Sequence, residues 1–298
     1  MPDPTRATLS ASQVAALWDA SPHVSRWMLY HWALGAIDLD EPESVRMEMG
    51  RRFEEAILDM TAERLRLDVR QNTDNTYRRH ATARVGCTVD ALVTDPSLGP
   101  GIVEAKNVDA MIWRGGWSED AAAKHVEIQL QAQLFVHGAS WGVIAALVGG
   151  NRLVLYRRLP NRRLWRSLEA QAARFWADVD ARNEPSPTGM SRELKVLDHL
   201  YPRAEPLKVR DLAEDHDAAE IVEAYAVARR KRADADADAQ SHKVAVGAMM
   251  GDAEFLYAPG FEVHRRDTVT AEKRCPKCNH KLADESVSVS YKTRRTTL

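Results

Sequence analysis

Residues 83–108 read ARVGCTVDALVTDPSLGPGIVEAKNV, and the fold turns on them. From 83 to 93 the residues alternate: Val85, Cys87, Val89, Ala91 and Val93 share one face, Thr88 and Asp90 the other, as in a half-buried strand. TDPSLGP is dense in turn formers, and GIVEAKNV then reads as a second strand with Ile102, Glu104, Lys106 and Val108 on one face. Two strands joined by a short turn predict a hairpin, with Asp90 on the polar face of one strand and Glu104 and Lys106 pointing together from the next.

Working outward, apolar residues recur at three and four from Leu9 to Leu34 and from Glu43 to Leu67, which predicts two N-terminal helices with Ser10 or Ser12 as a cap. Past the hairpin, residues 119–139 return to helical period, with Val126, Leu130 and Leu134 as an apolar stripe and His125, Gln129 and Gln133 as a polar stripe beside it. GVIAALV is apolar on both faces, as a covered central strand is, and Gly149, Gly150 and Asn151 turn the chain into a strand over Arg152 to Arg158. A helix carrying Leu164, Leu168, Phe175, Trp176 and Val179 closes this α/β block. NEPSPTG, residues 183–189, reads as a linker, which divides the chain into a domain over 1–185 and an extension over 190–298. In the extension, 209–250 reads as helical, followed by short strands, a CPKC segment and a basic tail.

The composition narrows the classes. Of 298 residues 45% are hydrophobic and 28% charged, which excludes a disordered chain, and a net charge of −2 requires any polyanion site to be a local patch. Three cysteines exclude a disulfide framework and point to a reducing compartment, the cytoplasm. MPDPTRATLS has no apolar leader core, and the longest aliphatic run, Val143 to Val148, is too short to span a bilayer, so no membrane partner is expected.

The pattern Glu-x-Lys occurs at Glu104-Ala105-Lys106 and again at Glu193-Leu194-Lys195. The first lies on a strand beside Asp90; the second falls just past the linker in a helix, where no partner strand is expected. Two carboxylates converging across a hairpin make a hard oxygen site suited to Mg²⁺ or Mn²⁺, and a lysine beside them can orient water and offset charge on a phosphoryl group. That set cleaves phosphodiesters; the competing reading is a surface ion pair across the hairpin. Arg152 to Arg166 holds six arginines, Arg157 and Arg158 among them, and no acid, a stretch able to neutralise backbone phosphates or to form a solvated edge. Trp113 to Trp117 forms a loop where an aromatic ring can stack on a terminal base or pack within a lid. Cys275 and Cys278 are half of a zinc ribbon, so structural Zn²⁺ would need further ligands such as His264 or His242.

Taken in order, GRRFE (50–54), CTVDALV (87–93), IVEAK (102–106) and IQLQAQ (128–133) resemble the PD-(D/E)XK nuclease superfamily, and within it the YqaJ-like viral recombinases, the family of the phage lambda exonuclease. The resemblance spans about residues 8–182, with a weaker likeness to phage relatives in GAMMGDAEFLYAPGFEV. It implies a restriction-endonuclease-like core, αβββαβ, with a mixed central sheet flanked by helices. It implies that Asp90, Glu104 and the carbonyl of Ala105 hold a metal, that Lys106 positions water, that Glu54 completes the acidic cluster, and that Gln129, or failing it Gln131, helps place the nucleophile. Val89-Asp90 stands where the family has Pro-Asp, and Ala91 where it has Gly, neither of which removes a ligand. Ser12 and Thr88 match a pocket for a terminal 5′-phosphate, whereas Arg6 lies one place from the matching position, Thr5.

The activity so implied is a Mg²⁺- or Mn²⁺-dependent exonuclease that digests linear duplex DNA 5′ to 3′ and exposes single strands for phage-type recombination in a bacterial host. Its implied partners are DNA ends, a single-strand annealing protein and two further copies in a ring-shaped trimer with Arg157 and Arg158 lining the bore. A restriction- or repair-type endonuclease is the alternative within the class. A catalytically silent DNA-binding module is the alternative outside it, against which the intact Asp, Glu and Lys set speaks.

Overall fold

The computed structural model describes residues 6–39, 42–270, 273–274, 281–283 and 286–295. Two compact units divide the chain, Met1–Pro206 and Leu207–Leu298. The first runs through β1 (Leu9–Ser10), a 3-10 turn (Val14–Trp18), α1 (Arg26–Ala33), α2 (Val45–Leu65), β2 (Val69–Gln71), β3 (Arg78–Arg79), β4 (Val85–Cys87), β5 (Ala91–Asp95) and β6 (Gly99–Val108). It continues with α3 (Ala110–Trp113), α4 (Lys124–His137), β7 (Trp141–Val148), β8 (Arg152–Arg158), α5 (Arg162–Ala181) and α6 (Ser191–Leu200).

The hairpin forms between β5 and β6, in register from Ala91 opposite Val103 to Asp95 opposite Gly99. Its turn is tied by Asp95, whose carboxylate accepts from the N–H groups of Ser97 and Leu98, and it closes on Gly99 at φ +81°. The strand expected over 83–93 is in fact two. β4 belongs to a small sheet ordered β1-β4-β3, and β5 to the main sheet ordered β2-β5-β6-β7-β8. Burial still alternates across the break, but Val85, Cys87 and Val89 enter one core and Ala91 and Val93 the other, on opposite faces of the main sheet. Thr88 to Asp90 is therefore a bend between sheets, where Asp90 leaves the ladder.

In the main sheet β6 and β7 run parallel, which requires a crossover, supplied by α4, while the remaining pairs are antiparallel. Every residue of β7 is buried, as its unbroken apolar run requires. One face packs on Ile57 and Leu58 of α2; the other carries Ile102, Ile144 and Ala146 under Leu130 and Leu134 of α4 and Phe175 of α5. Gly101 is required by this packing, since a Cβ there would sit 2.5 Å from the indole of Trp141 on the neighbouring strand.

The first expected helix, Leu9 to Leu34, is instead a strand, a 3-10 turn and α1. Its apolar spacing is real, but Asp19 adopts φ 51° and the chain breaks through Ser21-Pro22 before Ser25 caps α1 by accepting from Met28 N–H. The second expected helix matches α2, capped by Ser44 and ended by Arg66 at φ 56°.

The first unit extends past the Pro-rich stretch because α6 is anchored in it. Glu193 is 3% exposed and its carboxylate accepts from the Ser25 and Thr188 hydroxyls and from the N–H groups of Thr188, Gly189 and Met190. The second Glu-x-Lys copy lies on a helix, as expected, and its glutamate is a buried anchor. The last residues of 183–189, Thr188 and Gly189, are donors that fold onto Glu193, and the compact units meet at Pro206 and Leu207. The second unit contains α7 (His216–Met250), exposed over nearly its whole length, then β9 (Phe255–Ala258), β10 (Phe261–Thr270), β11 (Lys273–Arg274), β12 (Lys281–Ala283) and β13 (Ser286–Arg295). β9, β10 and β13 form an antiparallel sheet, and β11 pairs with β12. Cys275 and Cys278 lie outside the described residues. Among the described residues no helix is long and apolar enough to cross a membrane.

Burial works against the charge of Glu193, but its hydrogen bonds from Ser25, Thr188 and Gly189 outweigh that and hold its carboxyl below the ordinary range. The stabilisation is thus present above the unfolded value of about 4.3 and is lost as pH falls through the lower folded value. Glu193→Ala is expected to cost about 2–3 kcal/mol at pH 7 in urea melts, from the loss of charged hydrogen bonds, and the cost should shrink below about pH 4. An unchanged midpoint at pH 7 would contradict the anchoring role.

Candidate active site

The strand period of β6 points Glu104 and Lys106 to one face, above Ile144 and Ala146 of β7 in parallel register. Asp90 comes from the bend one residue before the β5–β6 ladder ends. Its main chain is held to β2, with the carbonyl accepting from Asn72 N–H at 2.8 Å, and its Oδ2 accepts from Ala105 N–H at 2.7 Å. Because the N–H and C=O of one strand residue point the same way, the Ala105 carbonyl faces the edge from which Asp90 approaches.

Glu104 is 2% exposed and engaged on both oxygens. Oε1 lies 2.5 Å from Lys106 Nζ and accepts from Gln129 Nε2 at 2.6 Å, while Oε2 accepts from Gln133 Nε2. Residues 129 and 133 are one helical turn apart on α4, so a single face of that helix clamps the carboxylate. Gln133 Oε1 is itself buried without a hydrogen-bond partner. The polar stripe of His125, Gln129 and Gln133 was the available signal for Gln133. Gln131 points elsewhere: its amide donates to the Leu159 carbonyl and accepts from Asn161 N–H, tying α4 to the start of α5.

The electrostatics follow from one buried carboxylate, Glu104, beside the half-buried Asp90 and Lys106. Burial and then the Glu104 charge push Asp90 up to about 8, against the pull of Lys106 and the Ala105 N–H. Burial disfavours the Lys106 ammonium, yet Glu104 and Asp90 outweigh it and hold its pKa above the ordinary lysine value. Glu54, on α2, contributes charge felt by both Asp90 and Lys106, but its own carboxylate is half-exposed and accepts from Gln71 at 3.4 Å. His125 is held down near 4 by burial, by His23 and by Lys106.

Among the described residues no three or more His, Cys, Asp or Glu side chains are grouped to hold a metal ion. The donor set is therefore two carboxylates and a carbonyl. That set fits Mg²⁺, which keeps several waters, and like-charge repulsion at Asp90 and Glu104 is what a divalent cation relieves. Cys87 is buried behind Glu104, and burial and that charge raise its thiol to about 12.

The remaining expected residues scatter. β1 pairs with β4 in parallel, Ser10 opposite Gly86; Ser12 lies in the turn just past β1, its Oγ 2.9 Å from Ser10 Oγ, and Thr88 lies just past β4. Arg6 is engaged by the carbonyls of Trp32 and Ile37 and the carboxylate of Asp38, and Thr5 lies outside the described residues. The arginine stretch does not form one patch, because neighbours on β8 face opposite sides. Arg157 packs over Trp141, whereas Arg158 pairs with Glu127 at 2.6 Å, and Arg152 pairs with Glu119 while covering Trp113. Trp113 stacks with Trp117 at 5.9 Å and with Tyr156 at 6.4 Å, and Trp117 meets Tyr156 at a tilt at 6.0 Å, an aromatic cluster packed against the core.

The mixed sheet presents the Glu104-x-Lys106 pair from β6 beside Asp90 at the bend that precedes β5, the arrangement expected from the resemblance to the PD-(D/E)XK nucleases. Residues 5–140 match the family model of the YqaJ-like viral recombinase domain. Solved structures similar to the chain include an alkaline exonuclease (LHK-Exo) from Laribacter hongkongensis, 18% identical, with 65% of this chain and 96% of that one covered and a TM-score of 0.49. A phage-related exonuclease from Haemophilus somnus 129PT is 10% identical over 59% of this chain and 96% of its own, with a TM-score of 0.42. No curated protein sequence matches the chain.

Gln129→Ala and Gln133→Ala are each expected to weaken Mn²⁺ binding about 10- to 100-fold in calorimetric titration, the usual cost of losing a hydrogen bond that orients a ligand. Gln131→Ala should lower the melting temperature and leave Mn²⁺ affinity unchanged. Equal metal affinity in all three would show that α4 does not orient Glu104.

Proposed function

We propose that this chain is a divalent-cation-dependent exonuclease acting on linear duplex DNA, probing 5′ ends and exposing single strands for phage-type recombination. The observation that carries the reading is the set formed by Asp90, Glu104, Lys106 and the Ala105 main chain, at a bend where one carboxylate leaves the ladder beside another. A divalent cation bound there supplies positive charge to the phosphodiester and acidifies water. Asp90 and Glu104 hold that cation together with the Ala105 carbonyl. Gln129 and Gln133 fix the Glu104 carboxylate so that it does not swing onto Lys106 alone. Lys106 Nζ, held charged between the carboxylates, donates to the attacking water and to the phosphoryl oxygens as their charge grows. Ser12, in the turn past β1, and Thr88, just past β4, supply hydroxyls to a terminal 5′-phosphate, which carries more charge than an internal diester.

Linear and closed circular duplex, each with and without Mg²⁺, separate the readings. We expect digestion of the linear form alone, only with metal, and at least tenfold faster from 5′-phosphoryl than from 5′-hydroxyl ends, about 1.4 kcal/mol of discrimination. Cutting of the closed circle would favour the endonuclease reading. Asp90→Asn and Glu104→Gln should each lower the rate by well over tenfold; retention of more than about a tenth of the activity would remove these residues from the site. Lys106→Ala should lower kcat while sparing DNA binding, and Lys106→Arg should not restore it, because a planar guanidinium does not replace a compact ammonium.

A further inference from the structure

We infer that α7 is an interface between two copies of this chain, each helix lying antiparallel on the other about a two-fold axis at Ala233. The pairing uses residues 216–250 alone and is independent of the chemistry at Asp90 and Glu104.

α7 has 35 residues, a length of about 52 Å at about 1.5 Å per residue. Within the second unit only its last turns pack on the sheet: Met250 is buried, and a Cβ on Gly247 would sit 2.6 Å from the Tyr291 hydroxyl of β13. The rest of the helix has no packed face in its own unit, although tertiary packing is what usually holds a helix. Large apolar side chains are left exposed instead: Ile221, Val222 and Tyr225 toward one end and Val244 toward the other, each at 64–70%.

The charge pattern names the occupant. Arg229, Arg230, Lys231 and Arg232 fill the turn just before the midpoint of α7, and Asp234, Asp236 and Asp238 follow just after it. Laid antiparallel on itself about Ala233, the helix sets basic turn against acidic turn twice, once on each side of the axis. In parallel register it would set arginine against arginine.

The spacing of the apolar residues agrees. Val222, Ala226, Ala233, Gln240 and Val244 recur at intervals of four and seven, one stripe of a coiled-coil seam. Residues equally far from Ala233 meet across the axis, so Val222 packs on Val244 of the second copy and Ala226 on its Gln240, a closed two-fold contact. On the flanks Arg229 faces Asp236 and Arg230 faces Asp234 of the second copy. Within one copy Asp236 meets Arg232 at 3.7 Å with both side chains largely exposed, a surface pair weak enough to rearrange, and Arg229 lies over the Tyr225 ring. The sheet leaves room, because Val244 stands about 120° around the helix from Met250.

The test is cross-linking of the full chain at micromolar concentration with a short bismaleimide, the wild type and its own cysteines giving the background. Ala233→Cys, on the axis, should yield covalent dimer about tenfold or more above that background. Val222→Cys and Val244→Cys should each stay at background alone, since like residues lie about 33 Å apart along the pair, and should join when mixed. Arg229→Glu/Arg230→Glu should lower the Ala233→Cys yield about fivefold, and adding Asp234→Lys/Asp236→Lys should restore it. Background yield at Ala233→Cys, joining of Val222→Cys to itself, or indifference to the reversed charges would overturn the pairing. So would α7 cysteines that resist the reagent, which would put another surface over the helix.

Discussion

The interaction on which the first unit depends is the repulsion between two carboxylates that the fold refuses to separate. Asp90 is fixed from outside by its ties to Asn72 and Ala105, and Glu104 from inside by two glutamines and a lysine. One cation, Lys106, stands between two acids, and Asp90 responds by rising to about 8. Such an arrangement is costly for a merely structural ion pair, since a buried charge left uncompensated destabilises a fold by several kcal/mol. It is economical for a protein that binds a cation, because the strain is released when the cation arrives.

The surrounding architecture serves this pair. The break between β4 and β5 frees Asp90 from the ladder, the crossover through α4 brings Gln129 and Gln133 over β6, and the wholly buried β7 gives β6 a rigid neighbour. Elsewhere in the first unit, α6 is pinned to Ser25 by a second buried glutamate.

Much of this was legible in the sequence because strand period and turn chemistry act locally. Alternation in GIVEAKNV placed Glu104 and Lys106 together, the turn formers of TDPSLGP placed the hairpin, and helical spacing located α2, α4 and α5. What escaped was nonlocal. Residues 83–93 keep alternating across a bend, so periodicity alone could not reveal that the strand changes sheets. The apolar spacing of Leu9 to Leu34 concealed a break that only Ser21-Pro22 hinted at. The two Glu-x-Lys copies look alike, and burial of Glu193 depends on donors from Ser25, far away in the chain. Arginines 157 and 158 are adjacent in sequence and face opposite sides of the sheet for the same period-two reason that unites Glu104 with Lys106.

The claim at the centre is that Asp90 and Glu104 repel until a cation joins them, and thermal melting with and without Mg²⁺ tests it most directly. At about pH 9, above the value to which Asp90 is pushed and hence with both carboxylates charged, metal-free Asp90→Asn should melt above metal-free wild type, and Mg²⁺ should raise the melting temperature of wild type while leaving the variant unmoved, as binding to the folded state alone requires. A metal-free variant less stable than wild type, or one stabilised by Mg²⁺ as much as wild type is, would contradict the account.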